Sequence, residues 1–153
     1  MQRAIGNAET LLGGRSAGEA AAMVGMGETQ KAVGQMDVLW SGGASDCVIV
    51  AAVADGRGWI THVDGSGPSM NTVVSAIRQV GSGHVYLASQ VFTQGDSAAN
   101  GNLRSIVQAL TEQGIAISGI FPSSSLGVTA GTGAVVGNLS RTDIDTLKGN
   151  EAI

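Results

Sequence analysis

The chain carries one cysteine and two histidines, and the spacing of one histidine makes the cysteine worth pursuing. Cys47 stands in "LWSGGASDCVIV", where a Gly/Ser-rich segment gives way to an apolar run, and His62 follows in "GWITHVDGS". Between them lies Asp55-Gly56, the dipeptide favoured in two-residue type I′ hairpin loops. With that loop, Ala54 faces Arg57 and Ile49 faces His62. Side chains alternate with period two along a strand, so Cys47, Ile49 and His62 share one face. Diagonal cross-strand neighbours lie roughly 7–8 Å apart at the backbone, with side chains closer. A shift of register by one residue would separate the pair.

A free thiol has a pKa near 8.5, and an adjacent imidazole can take its proton to leave a nucleophilic thiolate. Such pairing is expected to hold the thiol below its ordinary pKa. The thiolate attacks an amide or ester carbonyl; the imidazolium protonates the leaving amine and later activates water. An oxyanion hole needs backbone N–H groups outside the ladder, and the loop Gly42, Gly43, Ala44, Ser45 and Asp46, with the Cys47 N–H, has that character. Ser41, Ser45, Asp46, Asp64 or a backbone carbonyl could orient the imidazole; Ser41 is the preferred candidate. Asp64 reads as an orienting or substrate-lining group, or as the turn residue that ends the strand with Gly65. Trp40 and Trp59 flank the segment and read as cleft walls or as core. The alternative reading of Cys47 is a small buried hydrophobe opening an apolar strand.

The rest of the chain bounds the function. With 153 residues, 43% hydrophobic and 13% charged, it is long enough for one domain with a proper core, and 24 glycines against two prolines suggest many tight turns. A net charge of −4 and no Lys/Arg cluster argue against nucleic acid as a partner. One cysteine and two separated histidines offer no metal-ligand cluster, and His84, opening a strand, reads as structural. There is no phosphate-binding glycine motif, so no cofactor is expected. The N-terminus lacks a signal-peptide h-region and no apolar run is long enough to span a membrane, so a soluble domain is expected. Oligomeric state is left open.

The elements that must position Cys47 and His62 read as follows. "MDVLW", "CVIVAAV" and "GWITHV" are strands; "SMNTVVSAIRQV" is a helix with Val73, Val74, Ile77 and Val80 on one stripe. "HVYLASQVF" is a strand, and "SAANGNLRSIVQALTEQG" a helix ending at Gly114. "IAISGIF" is a strand, and "LGVTAGTGAVVGNL" a hairpin turning at Gly131-Thr132-Gly133. Residues 1–35 read as short helices or a linker, with Ser16 and Glu19 as a capping box. "SRTDIDTLKGNEAI" is polar and expected to fray, with 147–153 a flexible tail. The fold class is therefore α+β: a mostly antiparallel sheet or sandwich covered by two main helices, with short N-terminal helices.

The stretch "SGGASDCVIVAAVADGRGWITHVDGS" resembles the active-site hairpin of protein N-terminal asparagine amidohydrolases, with Ser41, Ala44, Cys47, His62, Asp64, Gly65 and Ser66 on matching positions and a hairpin two residues shorter. The Cys-to-His spacing is similar to that of the cytotoxic necrotizing factor deamidases, which modify a glutamine of Rho GTPases. Chemoreceptor glutamine deamidases share this superfold and place a hydroxyl residue where Ser41 stands. Their downstream pattern also resembles "VYLASQVFTQGDSAANGNLRSIVQALTEQGIAI". The resemblance covers residues 36–146. It lacks the Gly-Gly and Arg elements after the second helix, where "PSSSLGVTAG" stands, and the long N-terminal part of the asparagine amidohydrolases. It implies a cysteine-dependent deamidase, turning Gln to Glu or Asn to Asp on a protein substrate, with catalytic Cys47, His62 and Ser41. The resemblance also suggests a bacterial effector toxin domain, acting in a bacterial cytoplasm or entering a target cell as part of a larger effector, with an immunity or inhibitor protein as a further partner. The alternatives are a transglutaminase- or protease-like thiol acyl transferase and a non-catalytic binding module.

Overall fold

The structure, a computed structural model, describes residues 6–44, 46–65, 67–81, 83–90 and 97–149, with the backbone alone for residues 97–100. Ser45 and Ser66 lie outside the described residues, as does the end of the tail beyond Gly149.

The central hairpin forms as its sequence dictates. Strand β4 (Val48–Ala54) turns through Asp55 at φ 45° and Gly56 at φ 81° into β5 (Arg57–Val63). Both loop residues take left-handed backbone, which Gly adopts freely and Asp tolerates, and this is what a two-residue loop requires. The register follows: Ala54 pairs with Arg57 and Ile49 with His62.

The hairpin extends into a five-stranded sheet, β2 (Thr29–Lys31), β5, β4, β6 (His84–Ser89) and β7 (Gly119–Pro122), in that order. On one face Val48, Val50 and Ala52 pack with Val73, Val74, Ile77 and Val80 of α3 (Met70–Val80) and with Leu103, Ile106 and Leu110 of α4 (Ser97–Glu112). On the other, Ile49, Ala51 and Val53 meet Leu39, Leu126, Val128 and Val135 of a second sheet. That four-stranded sheet runs β1 (Ala21–Val24), β3 (Val38–Ser41), β8 (Leu126–Thr129), β9 (Ala134–Val136). Its outer face is covered by α1 (Ala8–Leu12), α2 (Ala17–Ala20) and α5 (Arg141–Leu147), through Leu11, Leu12, Ala20 and Leu147. The layers are thus helices, sheet, sheet, helices. Because β4 is covered on both faces, its sequence is continuously apolar rather than alternating. Each of its fully buried Val and Ile side chains contributes roughly 1.5–3 kcal/mol of hydrophobic burial. Gly58 lets the sheets approach: a Cβ there would lie 3.0 Å from that of Ala130.

The α+β architecture matches the expectation, and all pairings except β1–β3 and β6–β7 are antiparallel. The N-terminal segment differs. "AAMV" and "TQK" form β1 and β2 instead of continuing a helix, and Ser16, although an N-cap, makes no side-chain cap bond. Ala and Met favour helix locally, but the pairing of β1 with β3 supplies backbone partners that override so weak a preference. The strand within "IAISGIF" starts only at Gly119, while Ile115 and Ile117 pack against the helix-side core.

The polar stretch after Leu139 is also ordered. Ser140 and Asp143 form a capping box that starts α5. Asp143 accepts from the Ala8 N–H at 2.9 Å and from the Ser140 N–H at 2.9 Å, so one carboxylate serves the first turns of α1 and α5. Burial opposes its ionisation, but the bonds from Ala8 and Ser140 outweigh this and hold its pKa below the ordinary carboxylate value. A lowered folded pKa stabilises the protein above the unfolded value, about 3.9, and the contribution is lost as pH falls through the folded one. Asp143→Ala is expected to cost about 1–3 kcal/mol in urea unfolding at pH 7, with the difference from wild type shrinking below about pH 4.

Candidate active site

His62 reaches the inter-sheet layer because Ile60, two residues earlier on β5, does so. Only 2% of its surface is exposed. Ser41, the last residue of β3, is fully buried beside it, with its Oγ 2.8 Å from His62 Nδ1 and 2.6 Å from the Val24 carbonyl oxygen. The carbonyl can only accept, so the Ser41 hydroxyl donates to it and its oxygen accepts from Nδ1–H. That assigns the tautomer: the proton is on Nδ1 and the lone pair on Nε2. Among the described residues, Nε2 is buried without a hydrogen-bond partner. A buried polar atom left unmatched costs about 1–3 kcal/mol.

Cys47 packs with Ile49, the cross-strand partner of His62, in the same inter-sheet cluster. It is 4% exposed and lies just before β4 rather than opening it, because the ladder stops at Val48 and Val63. The preceding loop is held at two points. The Ala44 N–H donates to the Ser124 carbonyl at 3.0 Å, and Asn102 of α4 donates through Nδ2 to the Asp46 carbonyl at 2.8 Å. The Ala44 N–H is therefore committed and is not an oxyanion donor. Gly43 adopts φ 72°, where a side chain would be strained, and a Cβ on Gly42 would touch Ile144 at 3.5 Å.

No protein-family model matches this chain, and no curated protein matches it either.

The electrostatics differ from the expected thiolate–imidazolium pair. Burial, then the charge and hydrogen bonding of Asp46 (Sγ to Oδ1 3.7 Å), then Asp64, push the Cys47 thiol up to about 11. Burial lowers the His62 pKa, partly offset by Asp64. Both shifts favour the neutral forms, so the pair rests as thiol and imidazole. The lowered His62 pKa favours folding above about pH 6.5 and is lost as pH falls through the folded value. The raised Cys47 pKa favours folding below the thiol's ordinary value and is lost as pH rises towards 11. Stability should therefore peak between about pH 6.5 and 8.5, and Cys47→Ala should flatten the alkaline decline in urea titrations.

Other candidates fall elsewhere. Trp40 points to the opposite face of β3 from Ser41 and packs under α1 and α5, so it does not line the site; strand alternation dictates this. Trp59 belongs to the helix-side core. Asp64 does not hold the imidazole, which Ser41 does; its Oδ1 accepts from the Gly67 N–H at 3.1 Å in the turn after β5. His84 bonds Ser118 through Nδ1 at 3.1 Å, and it pairs with Val53 at the far end of β4. Among the described residues no group of three or more His, Cys, Asp or Glu could hold a metal, and no helix is long and apolar enough to cross a membrane. The Val24 carbonyl, the Asn102 amide and the Ser124 carbonyl were not singled out in the sequence. Only Asn102, a polar side chain beside Gly101 in a helix, left any mark there.

Proposed function

We propose that this chain is a cysteine-dependent deamidase that hydrolyses the side-chain amide of a Gln or Asn on a protein substrate. The observation that carries the reading is the buried, unpartnered Nε2 of His62, in a tautomer fixed by Ser41 and Val24, on the face that Cys47 shares. In the reaction, Sγ bonds to the amide carbon as its proton passes to Nε2. The imidazolium then gives that proton to the amide nitrogen, and ammonia leaves a thioester. Water, deprotonated by Nε2, attacks the thioester; the carboxylic acid departs and the proton returns to sulfur. The Cys47 N–H, outside the ladder, is the oxyanion donor in this scheme. The small exposure of Cys47 favours a slim carboxamide on its methylene stem over a main-chain amide flanked by side chains. A bacterial effector toxin, with an inhibitor protein covering Cys47 in the producing cell, is the setting suggested by the resemblance of the hairpin.

The raised thiol and its burial favour a second reading, a binding module with an inert Cys47. Incubation with a protein mixture, read as ammonia release and a +1 Da shift at Gln or Asn, separates the two. The deamidase gives both signals, and Cys47→Ala gives neither; signals absent from the wild type leave the binding module. Added methylamine that replaces the +1 Da product with a methylamide would instead indicate an acyl transferase.

A further inference from the structure

A second cleft opens on the other face of β5. Trp59 and His62 are an odd number of residues apart on that strand, so they face opposite ways, Trp59 toward α3. Trp59, Ala76 and Val80 wall a cleft of about 210 Å³, with Lys31, Arg57 and Gln79 around it. Lys31 pairs directly with Trp59, and Arg57 stands two residues before Trp59, so strand alternation puts both cations on the α3 side. As diagonal neighbours they lie roughly 7–8 Å apart at the backbone. Both side chains are exposed. A Cβ on Gly81, the C-cap of α3, would lie 2.9 Å from Arg57 Nη2, so the guanidinium rests against the end of that helix.

Among the described residues neither Lys31 nor Arg57 has an ion-pair or side-chain hydrogen-bond partner. No Asp or Glu lines the cleft. The acids closest in sequence are turned elsewhere: Glu28 accepts from the Gly25 N–H at 2.8 Å, and Asp55 lines a separate cavity with His84. The other described cations lie apart from it. Arg15 is bound by Asp37 and Arg78 by Gln113, Arg104 is on α4, and Arg141 and Lys148 stand at the two ends of α5. In a chain of net charge −4, two unmatched cations beside a tryptophan-walled cleft complement an anion carried on an apolar body.

We infer that this cleft binds a small aromatic acid, with its carboxylate or phosphate between Lys31 and Arg57 and its ring against Trp59 and Val80. The guanidinium fork and the ammonium both suit such an anionic head. Pockets for drug-sized ligands span roughly 300–1,000 Å³, so this smaller cleft suits a ligand of about one ring. The inference is independent of the deamidase reading, because the cleft lies across the sheet from His62.

Backbone-assigned ¹H–¹⁵N spectra of the whole chain, titrated with benzoate, phenyl phosphate and benzamide, test it. At least one of the two anions should move the Trp59 indole signal and the amides of Arg57 and Val80, with a Kd about tenfold or more below that of benzamide. High salt should narrow that difference. Lys31→Gln and Arg57→Gln, both at exposed positions, should each weaken the anion several-fold and leave benzamide unchanged. Tighter binding of phenyl phosphate than benzoate would assign a phosphate head, and the reverse order a carboxylate; either supports the inference. It would be overturned if neither anion moved the Trp59 signal, if benzamide bound as tightly, or if anion binding were indifferent to both substitutions.

Discussion

Cys47→Ala is expected to abolish ammonia release, and His62→Ala to reduce it by about 10²- to 10⁴-fold, the range for losing a positioned general base. The cysteine variant has no covalent route left, whereas the histidine variant keeps a thiol that must shed its proton unaided. That handicap is severe here because burial and two carboxylates hold the thiol near 11. In His62→Ala the remaining activity should therefore climb with pH well into the alkaline range, while wild-type activity is already flat above the lowered His62 pKa. Removing one buried sulfur should cost only about 1 kcal/mol of stability, so Cys47→Ala remains folded and serves as the control for every assay. Steady-state ammonia release across pH 5–10, with urea unfolding of each variant, reads all of this.

Ser41→Ala should be the most damaging change at a residue that never touches the reacting atoms. It removes both of the hydroxyl's bonds and leaves His62 Nδ1–H and the Val24 carbonyl buried without their partner. At about 1–3 kcal/mol for each stranded group, the expected loss of stability is roughly 2–6 kcal/mol. The imidazole is then free to carry its proton on Nε2, which blocks its role as a base, so turnover should fall about 100-fold in the molecules that remain folded. Ser41→Thr keeps the hydroxyl and should restore most of the turnover even where its extra methyl lowers stability. Were Ser41 merely a packing residue, turnover per folded molecule would be unchanged in Ser41→Ala.

Much of the hairpin was legible because its information is local. Asp55-Gly56 fixes the turn, the turn fixes the register, and the register puts His62 opposite Ile49. The unbroken apolar run of β4 likewise announced a strand, though not that it is covered on both faces. The placement of Trp40 was available too: once Ser41 faces inward, its neighbour on the strand must face away. What escaped was long-range. Strand β1 looks helical in composition, and only its parallel pairing with β3, seventeen residues away from Val24 to Ser41, reveals it. The carbonyl that sets the Ser41 hydroxyl belongs to that strand, so the histidine tautomer could not be read from side chains alone. The direction of the Cys47 shift depends on burial between two sheets and on Asp64 returning across the hairpin, neither of which spacing reports. Helix α5 was missed because its tie to Ala8 spans most of the chain.

The central claim is that His62 rests neutral with its proton on Nδ1 and a bare Nε2 available to Cys47. Long-range ¹H–¹⁵N correlation on protein labelled at the histidine ring nitrogens, recorded at pH 7, measures this directly, with His84 distinguished by a His84→Gln variant. A neutral ring protonated on Nδ1 that reverts to the Nε2–H form in Ser41→Ala is the predicted result. A ring carrying its proton on Nε2 in the wild type, or an imidazolium at that pH, would contradict the account.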